Sequence, residues 1–468
     1  MAASVVVVGG GITGLAAAHQ LALDGADVTL VEAGERLGGK VRTSPFAGRP
    51  VDEGPDAFLL RVPWALDLCR ELALTDQLVS PAVRTAYIWS RDDLRPLPAG
   101  QVLGVPTDLD ALRASGVLDE AGAHRAARDL DADAEARAGE GSEAGDEAIG
   151  AMVRRRLCDD VLERLVDPLV GGINAGDTDR LSLAACAPQL DAAARADPSL
   201  IRALRAQRER ATVDPETPIF ATHPRGMGHV VDALAASLTG VDVRLDTELV
   251  ELEPGPVLTV RRTGGTTGSL TPDAVVLTTP APATARLLGG VDSASTDTLE
   301  AVEHVSVVVV TLAVDPADVH RPLDASGFLV PRTEGRLLTA CSWASTKWAH
   351  LAGDDVVLRA SAGRHGDRRA FELDDDDLVD RLLTDLEAMM GLHGAPTAVR
   401  VSRWPSGFPQ YAPGHLDRVT TIERRLAATM PRVVLAGAAY RGVGLPACIR
   451  QGRQAATELA RRLLQPTP

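Results

Sequence analysis

Four consecutive valines, Val5 to Val8, begin the patterned part of the chain. A short β-branched run of this kind reads as a parallel strand buried on both faces. Residues 12–24 then repeat small and apolar positions on a helical period, Gly25 supplies a stop, and residues 27–31 return to strand pattern before the acid Glu32. The first 32 residues therefore predict a β-α-β unit. Further on, residues 87–98 alternate apolar and polar positions around Arg91, Asp92 and Asp93, which predicts a hairpin. Residues from about 105 to 210 carry mostly helical periodicity. Residues 241–251 and 274–280 read as strands returning to the first sheet, and residues 302–314, 327–330, 337–340 and 356–362 form a strand-rich block. The acids between Glu372 and Asp377 precede an apolar-periodic stretch and suit a helix N-terminus. A last strand at 433–437 and a helix after Gly444 complete the pattern.

Elements of one sheet are thus drawn from the start, middle and end of the chain. The fold class predicted is α/β: a discontinuous Rossmann-like cofactor-binding domain with inserted helical and mixed-sheet substrate domains. The expected divisions are 1–85, 211–290 and 411–468 for the cofactor domain, 86–98 and 291–410 for the sheet domain, and 99–210 for the helical domain.

Within the first unit, Gly9, Gly11 and Gly14 have the spacing of a dinucleotide turn: one for the tight bend, one for close approach of a pyrophosphate, one for helix packing on the sheet. The following helix N-terminus would face the phosphates. Glu32 falls where a ribose offers its hydroxyls, and its charge disfavours a ribose phosphate, so FAD or NAD is expected over NADP.

Composition narrows the partners. The net charge is −16, which argues against nucleic acid and against an anionic membrane surface. Part of the excess lies in the alanine-rich, acidic stretch 119–147, expected to be a solvated helix or mobile loop. The sequence shows no signal-peptide pattern and no apolar run of membrane-spanning length, so a cytoplasmic protein without stable membrane insertion is expected. Five unpaired-looking cysteines read as reduced core residues, and ten scattered histidines give no metal-site pattern. Arg202, Arg205 and Arg208 recur at three-residue spacing, as a solvated face or a docking stripe. Only two lysines occur, Lys40 and Lys347.

Residues 32–43, EAGERLGGKVRT, resemble the segment that follows the second strand in the flavin amine oxidase superfamily, and 51–58, VDEGPDAF, resemble its flavin-ring loop. Four further segments resemble the soluble bacterial protoporphyrinogen and coproporphyrinogen oxidases of haem synthesis: LPAGQVLGVP at 97–106, RRLCDDVLERLVDPLVGGINAGD at 155–177, WPSGFPQYAPGHLDRV at 404–419 and LAGAAYRGVGLPACIRQ at 435–451. Two departures stand out. Ala447 replaces an acid or amide, and Ala349 a proline, common in relatives.

The resemblance implies FAD as cofactor and assigns its contacts to Gly9, Gly10, Gly11, Ile12, Thr13 and Gly14, to Glu32 and Ala33, to Gly39 and Lys40, to Gly54, Pro55, Asp56 and Ala57, to Val250 and Trp404, and to Val443, Gly444 and Leu445. It implies a porphyrinogen substrate, molecular oxygen as acceptor, and room for a haem-pathway protein partner. Flavin chemistry needs positioning rather than a nucleophile or metal, so no catalytic side chain is assigned. Arg61, Lys347 and Arg441 are the candidate receptors for substrate propionates. The resemblance favours coproporphyrinogen III, with protoporphyrinogen IX as the alternative. A flavin amine oxidase, a carotenoid desaturase and a non-catalytic binding protein of the same fold stand further off.

Overall fold

The buried valines of Ser4–Val8 lie at the centre of a five-stranded parallel sheet in a computed structural model that describes residues 2–133, 145–210 and 217–463. Its strand order is Val433–Leu435, Ala274–Leu277, Ser4–Val8, Asp27–Val31, Asp242–Arg244, so distant parts of the chain share one sheet. Helices Ile12–Leu23 and Leu445–Leu463 pack together beside it. Gly452 makes that approach possible: a β-carbon there would collide with the Thr13 carbonyl oxygen.

A second, seven-stranded sheet runs in the order Ala398–Pro409, His304–Val314, Val356–Ala362, Leu338–Trp343, Gly327–Leu329, Tyr87–Ser90, Asp93–Pro96. The hairpin at its edge turns on Arg91 and Asp92, both at positive φ (58° and 56°), the backbone that suits a two-residue hairpin. Helix Asp375–Met390 packs its apolar side into this sheet's core, and the Asp374 carboxylate caps it by accepting from the Asp377 amide at 2.9 Å. A helical layer with its own core, from Leu109–Ser115 to Leu200–Arg210, covers the remaining side.

The structure refines three expectations. Residues 241–251 are not one strand: Asp246, at φ 50°, breaks them into Asp242–Arg244 in the parallel sheet and Thr247–Glu253 in a separate antiparallel sheet with Val257–Arg262 and Thr267–Leu270. Arg202 and Arg205 are half-buried and Arg208 is exposed, so the face is solvated in part, and all three guanidinium groups reach backbone carbonyls of the helical layer. Arg202 donates to Ala132 O (2.8 Å), Arg205 to Thr107 O (2.7 Å) and Arg208 to Gly100 O (2.8 Å). Of the acidic stretch, Glu120–Ala127 is helix and Arg128–Asp131 a 3-10 turn, while 134–144 lie outside the described residues, as do 211–216 and 464–468 at the expected domain edges.

Candidate functional site

Where the parallel sheet meets its helices the glycines shape a bare rim. Gly9 sits at φ +103°, and a β-carbon on Gly14 would collide with the Gly9 carbonyl, so this turn closes only with glycine. A β-carbon on Gly11 would meet nothing, because that residue faces a large cavity. The second glycine turn stacks on the first: Gly38 N donates to Gly10 O at 2.8 Å, and a β-carbon on Gly39 would come within 3.2 Å of Gly11 Cα. Glu32 fixes the arrangement by accepting from Gly10 N (2.6 Å) and Gly34 N (2.7 Å), one with each carboxylate oxygen.

The cavity beside this rim measures about 1070 Å³. That is at the upper end of ligand pockets, enough for a dinucleotide and a second molecule. Along it lie Ile12, Thr13, Glu32, Ala33, Gly39 and Lys40, then Gly54, Pro55, Ala57, Val250 and Trp404, with Val443, Gly444 and Leu445 at the start of the last helix. Val250 is the extra residue of a β-bulge between Leu249 and Glu251, which turns it out of register and toward the cavity. Lys40 is open to the cavity and enclosed by protein elsewhere; burial lowers its pKa, and Nζ donates to Gly407 O at 2.5 Å. Trp404 is held by its indole N–H on Glu53 O at 3.0 Å.

Gly10, Gly14 and Asp56 do not border the cavity. The two glycines sit beneath the rim. Asp56 points the other way, where Oδ2 meets Lys347 Nζ (2.9 Å), Arg359 Nη1 (3.1 Å) and Trp348 Nε1 (3.1 Å). Burial pushes this carboxyl up, but Lys347 and Arg359 outweigh burial and hold it below the usual carboxylate range. Arg359 also donates to Gly54 O at 2.5 Å, so the cluster clamps residues 54–57 onto the large sheet.

None of the three expected propionate receptors borders the cavity. Lys347 is consumed by Asp56. Arg441 pairs with Glu423 at 2.6 Å, away from the cavity lining, and Arg61 is exposed beyond the loop, also off the lining. The sequence offered no means of seeing these partnerships: Lys347 and Asp56 lie 291 positions apart, and Arg441 and Glu423, 18 apart, meet only once the fold brings their elements together.

Opposite the rim, the cavity wall comes from a π-helix, Leu162–Gly171, and the turn after it. A wide helix of this type often marks a functional surface. Pro168 lies inside it, and loop residue Gly104 packs so closely on Leu165 and Val166 that a β-carbon would lie 2.6 Å from Val166 Cα. The remaining motifs meet here. Gln410 donates to Asn174 O (3.0 Å), and Tyr411 OH accepts from Gly442 N (3.0 Å) while donating to Ala438 O. Arg332 and Arg364, not singled out from the sequence, border this end together with Thr339 and Ser361. Their signal is tertiary, since no spacing links them to a motif.

A family model described as flavin containing amine oxidoreductase matches residues 12–460. The chain is 33% identical to a coproporphyrinogen III oxidase from Bacillus subtilis (strain 168), covering 97% of each chain. It is 35% identical to a coproporphyrinogen III oxidase from Mycobacterium tuberculosis (strain H37Rv), covering 98% of this chain and 97% of that one. A solved structure of a provisionally named protoporphyrinogen oxidase from Exiguobacterium sp. 255-15 superposes with a TM-score of 0.85 at 33% identity, over 99% of this chain and all of the other.

Proposed function

Because the chain belongs to the flavin-containing amine oxidoreductase family and is an FAD-dependent oxidoreductase, we propose that it oxidises coproporphyrinogen III to coproporphyrin III, with molecular oxygen as acceptor and hydrogen peroxide as by-product. The observation that carries this reading is one cavity running from the stacked glycine turns to an apolar, arginine-bearing slot under the π-helix.

The residues present fit the cofactor. Gly11 leaves open space where a side chain would otherwise stand, the helix beginning at Leu445 starts on the lining of the same cavity, and Lys40 adds positive charge there. In the proposed assignment, Gly9, Gly11, Ile12 and Thr13 with Val443 to Leu445 hold the pyrophosphate, Glu32 and Val250 the adenosine end, and Gly54, Pro55 and Ala57 with Trp404 the ring. When bound, FAD supplies the hydride acceptor that methylene-bridge oxidation requires. The protein holds the macrocycle against it, keeps water out with apolar walls and receives the substrate's carboxylates. An amine oxidase is disfavoured because an amine calls for an aromatic cage, and Trp404 and Phe408 are the only Phe, Tyr or Trp residues of this lining among the described residues.

Among the described residues no helix is long and apolar enough to cross a membrane, and the proposed setting is the cytoplasm, beside other haem-pathway proteins. Protoporphyrinogen IX is the second reading, favoured by the Exiguobacterium likeness. The test is anaerobic delivery of each porphyrinogen to FAD-loaded protein, followed by oxygen and simultaneous measurement of porphyrin fluorescence and peroxide. Faster turnover of coproporphyrinogen III is expected. Turnover of amines or polyenes in place of porphyrinogens would end the proposal.

A further inference from the structure

Five cationic side chains border the cavity among the described residues: Lys40, Arg261, Arg286, Arg332 and Arg364. Four have a place already. Lys40 donates to Gly407 O, and Arg261 pairs with Glu248 at 2.8 Å. Arg286 belongs to helix Ala281–Leu288, which packs on the strand that carries Val250, at the proposed adenosine end. Arg332 is a strut: Nη1 donates to His365 O and Nη2 to Gly176 O, both at 2.8 Å, and Nε lies 3.8 Å from Asp167.

Arg364 differs from all of these. It follows Gly363, whose φ of +90° ends the strand Val356–Ala362, and it begins a tight turn closed by Asp367 N donating to Arg364 O at 2.9 Å. The backbone is therefore fixed where the side chain leaves it. Its guanidinium reaches Val330 O at 3.4 Å and Arg336 O at 3.3 Å, both longer than a well-made N–H···O bond. No carboxylate pairs with it among the described residues. The acids that face it are committed elsewhere: Asp367 to Arg369 at 2.7 Å, and Asp167 to Thr178 Oγ1 at 2.8 Å. Burial, and then the Arg332 charge, lower its pKa, as expected for a cation waiting for an anion.

We propose that Arg364 is the residue that receives a carboxylate of the macrocycle, with Arg332 positioning the turn that carries it, and that this contact sets preference for the free acid over an uncharged ester. The inference rests on the porphyrinogen reading and adds a specificity residue to it. A planar fork with two loosely held arms can turn both toward a propionate without breaking a strong bond.

Equilibrium titration tests it. FAD-loaded wild type, Arg364→Gln and Arg364→Lys are titrated with coproporphyrin III and, in mild detergent, with its tetramethyl ester, following porphyrin fluorescence. Wild type should prefer the acid. Arg364→Gln should weaken acid binding at least about thirtyfold while leaving the ester unchanged, and Arg364→Lys should restore part of the preference. Acid affinity in Arg364→Gln within about twofold of wild type, or equal weakening of acid and ester, overturns the assignment. If Arg364→Gln fails to retain FAD, Arg364→Lys decides: retained acid preference supports the proposal and equal weakening overturns it. Wild type that holds FAD but binds neither compound overturns the porphyrinogen reading itself.

Discussion

A carboxylate buried among an ammonium, a guanidinium and an indole N–H is costly unless every group is paired, and around Asp56 they are. Replacing Asp56 with Asn keeps the shape and an acceptor but removes the anion that Lys347 and Arg359 share. Arg359, buried, and Lys347, half-buried, then stay without a counter-charge, a loss of about 3–5 kcal/mol for a broken buried pair. Because Arg359 also holds Gly54 O, the loop proposed to contact the flavin ring should loosen with it. The expected outcome for Asp56→Asn is a lower denaturation midpoint and faster FAD loss on dialysis. The pH dependence has a definite sign. The carboxyl's folded pKa is depressed, so its contribution is present above the unfolded value of about 3.9 and is lost as pH falls below it. The stability gap between variant and wild type should be full at neutral pH and should narrow below about pH 4. A gap that persists unchanged into acid would remove the ion cluster as its cause.

At the scale of elements, the contact between helices Ile12–Leu23 and Leu445–Leu463 joins the first dinucleotide turn to the last cofactor motif. Gly452 lies in the middle of the second helix, where glycine is about 1 kcal/mol worse than alanine on propensity alone. Gly452→Ala would gain that amount if the space were open. Here the added carbon meets the Thr13 carbonyl, with Ala17 N only 3.1 Å away, and both are backbone groups that cannot step aside. Overpacking of this kind costs about 1–3 kcal/mol, enough to reverse the sign. Chemical denaturation should show Gly452→Ala destabilised, with weaker FAD retention because Thr13 borders the cavity; a stabilised variant would mean the helices do not meet as described. These two helices were readable from period and glycine placement, as were the buried valines and the hairpin at Arg91 and Asp92. Less of the site was readable. The break at Asp246 depends on one residue taking a positive φ, and the bulge that presents Val250 depends on pairing with Val257–Arg262. The fates of Lys347, Arg359 and Arg364 depend on which distant groups the fold brings beside them. Local pattern fixes an element's type, whereas the partner of a long cation is decided only after the sheets have packed.

For the molecule as a whole, the cofactor cradle takes its first turn from residues 9–14, its ring loop from 54–57, its bulge from Val250 and its closing helix from residue 445 onward. A ligand touching all of these stabilises only the state in which they are assembled, by RT ln(1 + [L]/Kd), about 2.7 kcal/mol at a hundredfold excess over Kd. The sheet Ser4–Val8 to Val433–Leu435 cannot form without the same long-range closures, so cofactor and parallel sheet should unfold together. The helical layer and the seven-stranded sheet have separate cores, with fewer of their residues on the cofactor side. Calorimetry across a series of free FAD concentrations should therefore show a melting transition that climbs with the logarithm of FAD, while any transition of the inserted layers taken separately moves little. For a domain of about 200 residues each kcal/mol is worth about 2–4 °C, so saturation should raise that midpoint by several degrees. Removing FAD with high salt at low pH, then returning the protein to neutral buffer, should lower it again. A midpoint insensitive to FAD would mean that the discontinuous cradle is complete before the cofactor arrives and gains nothing from it.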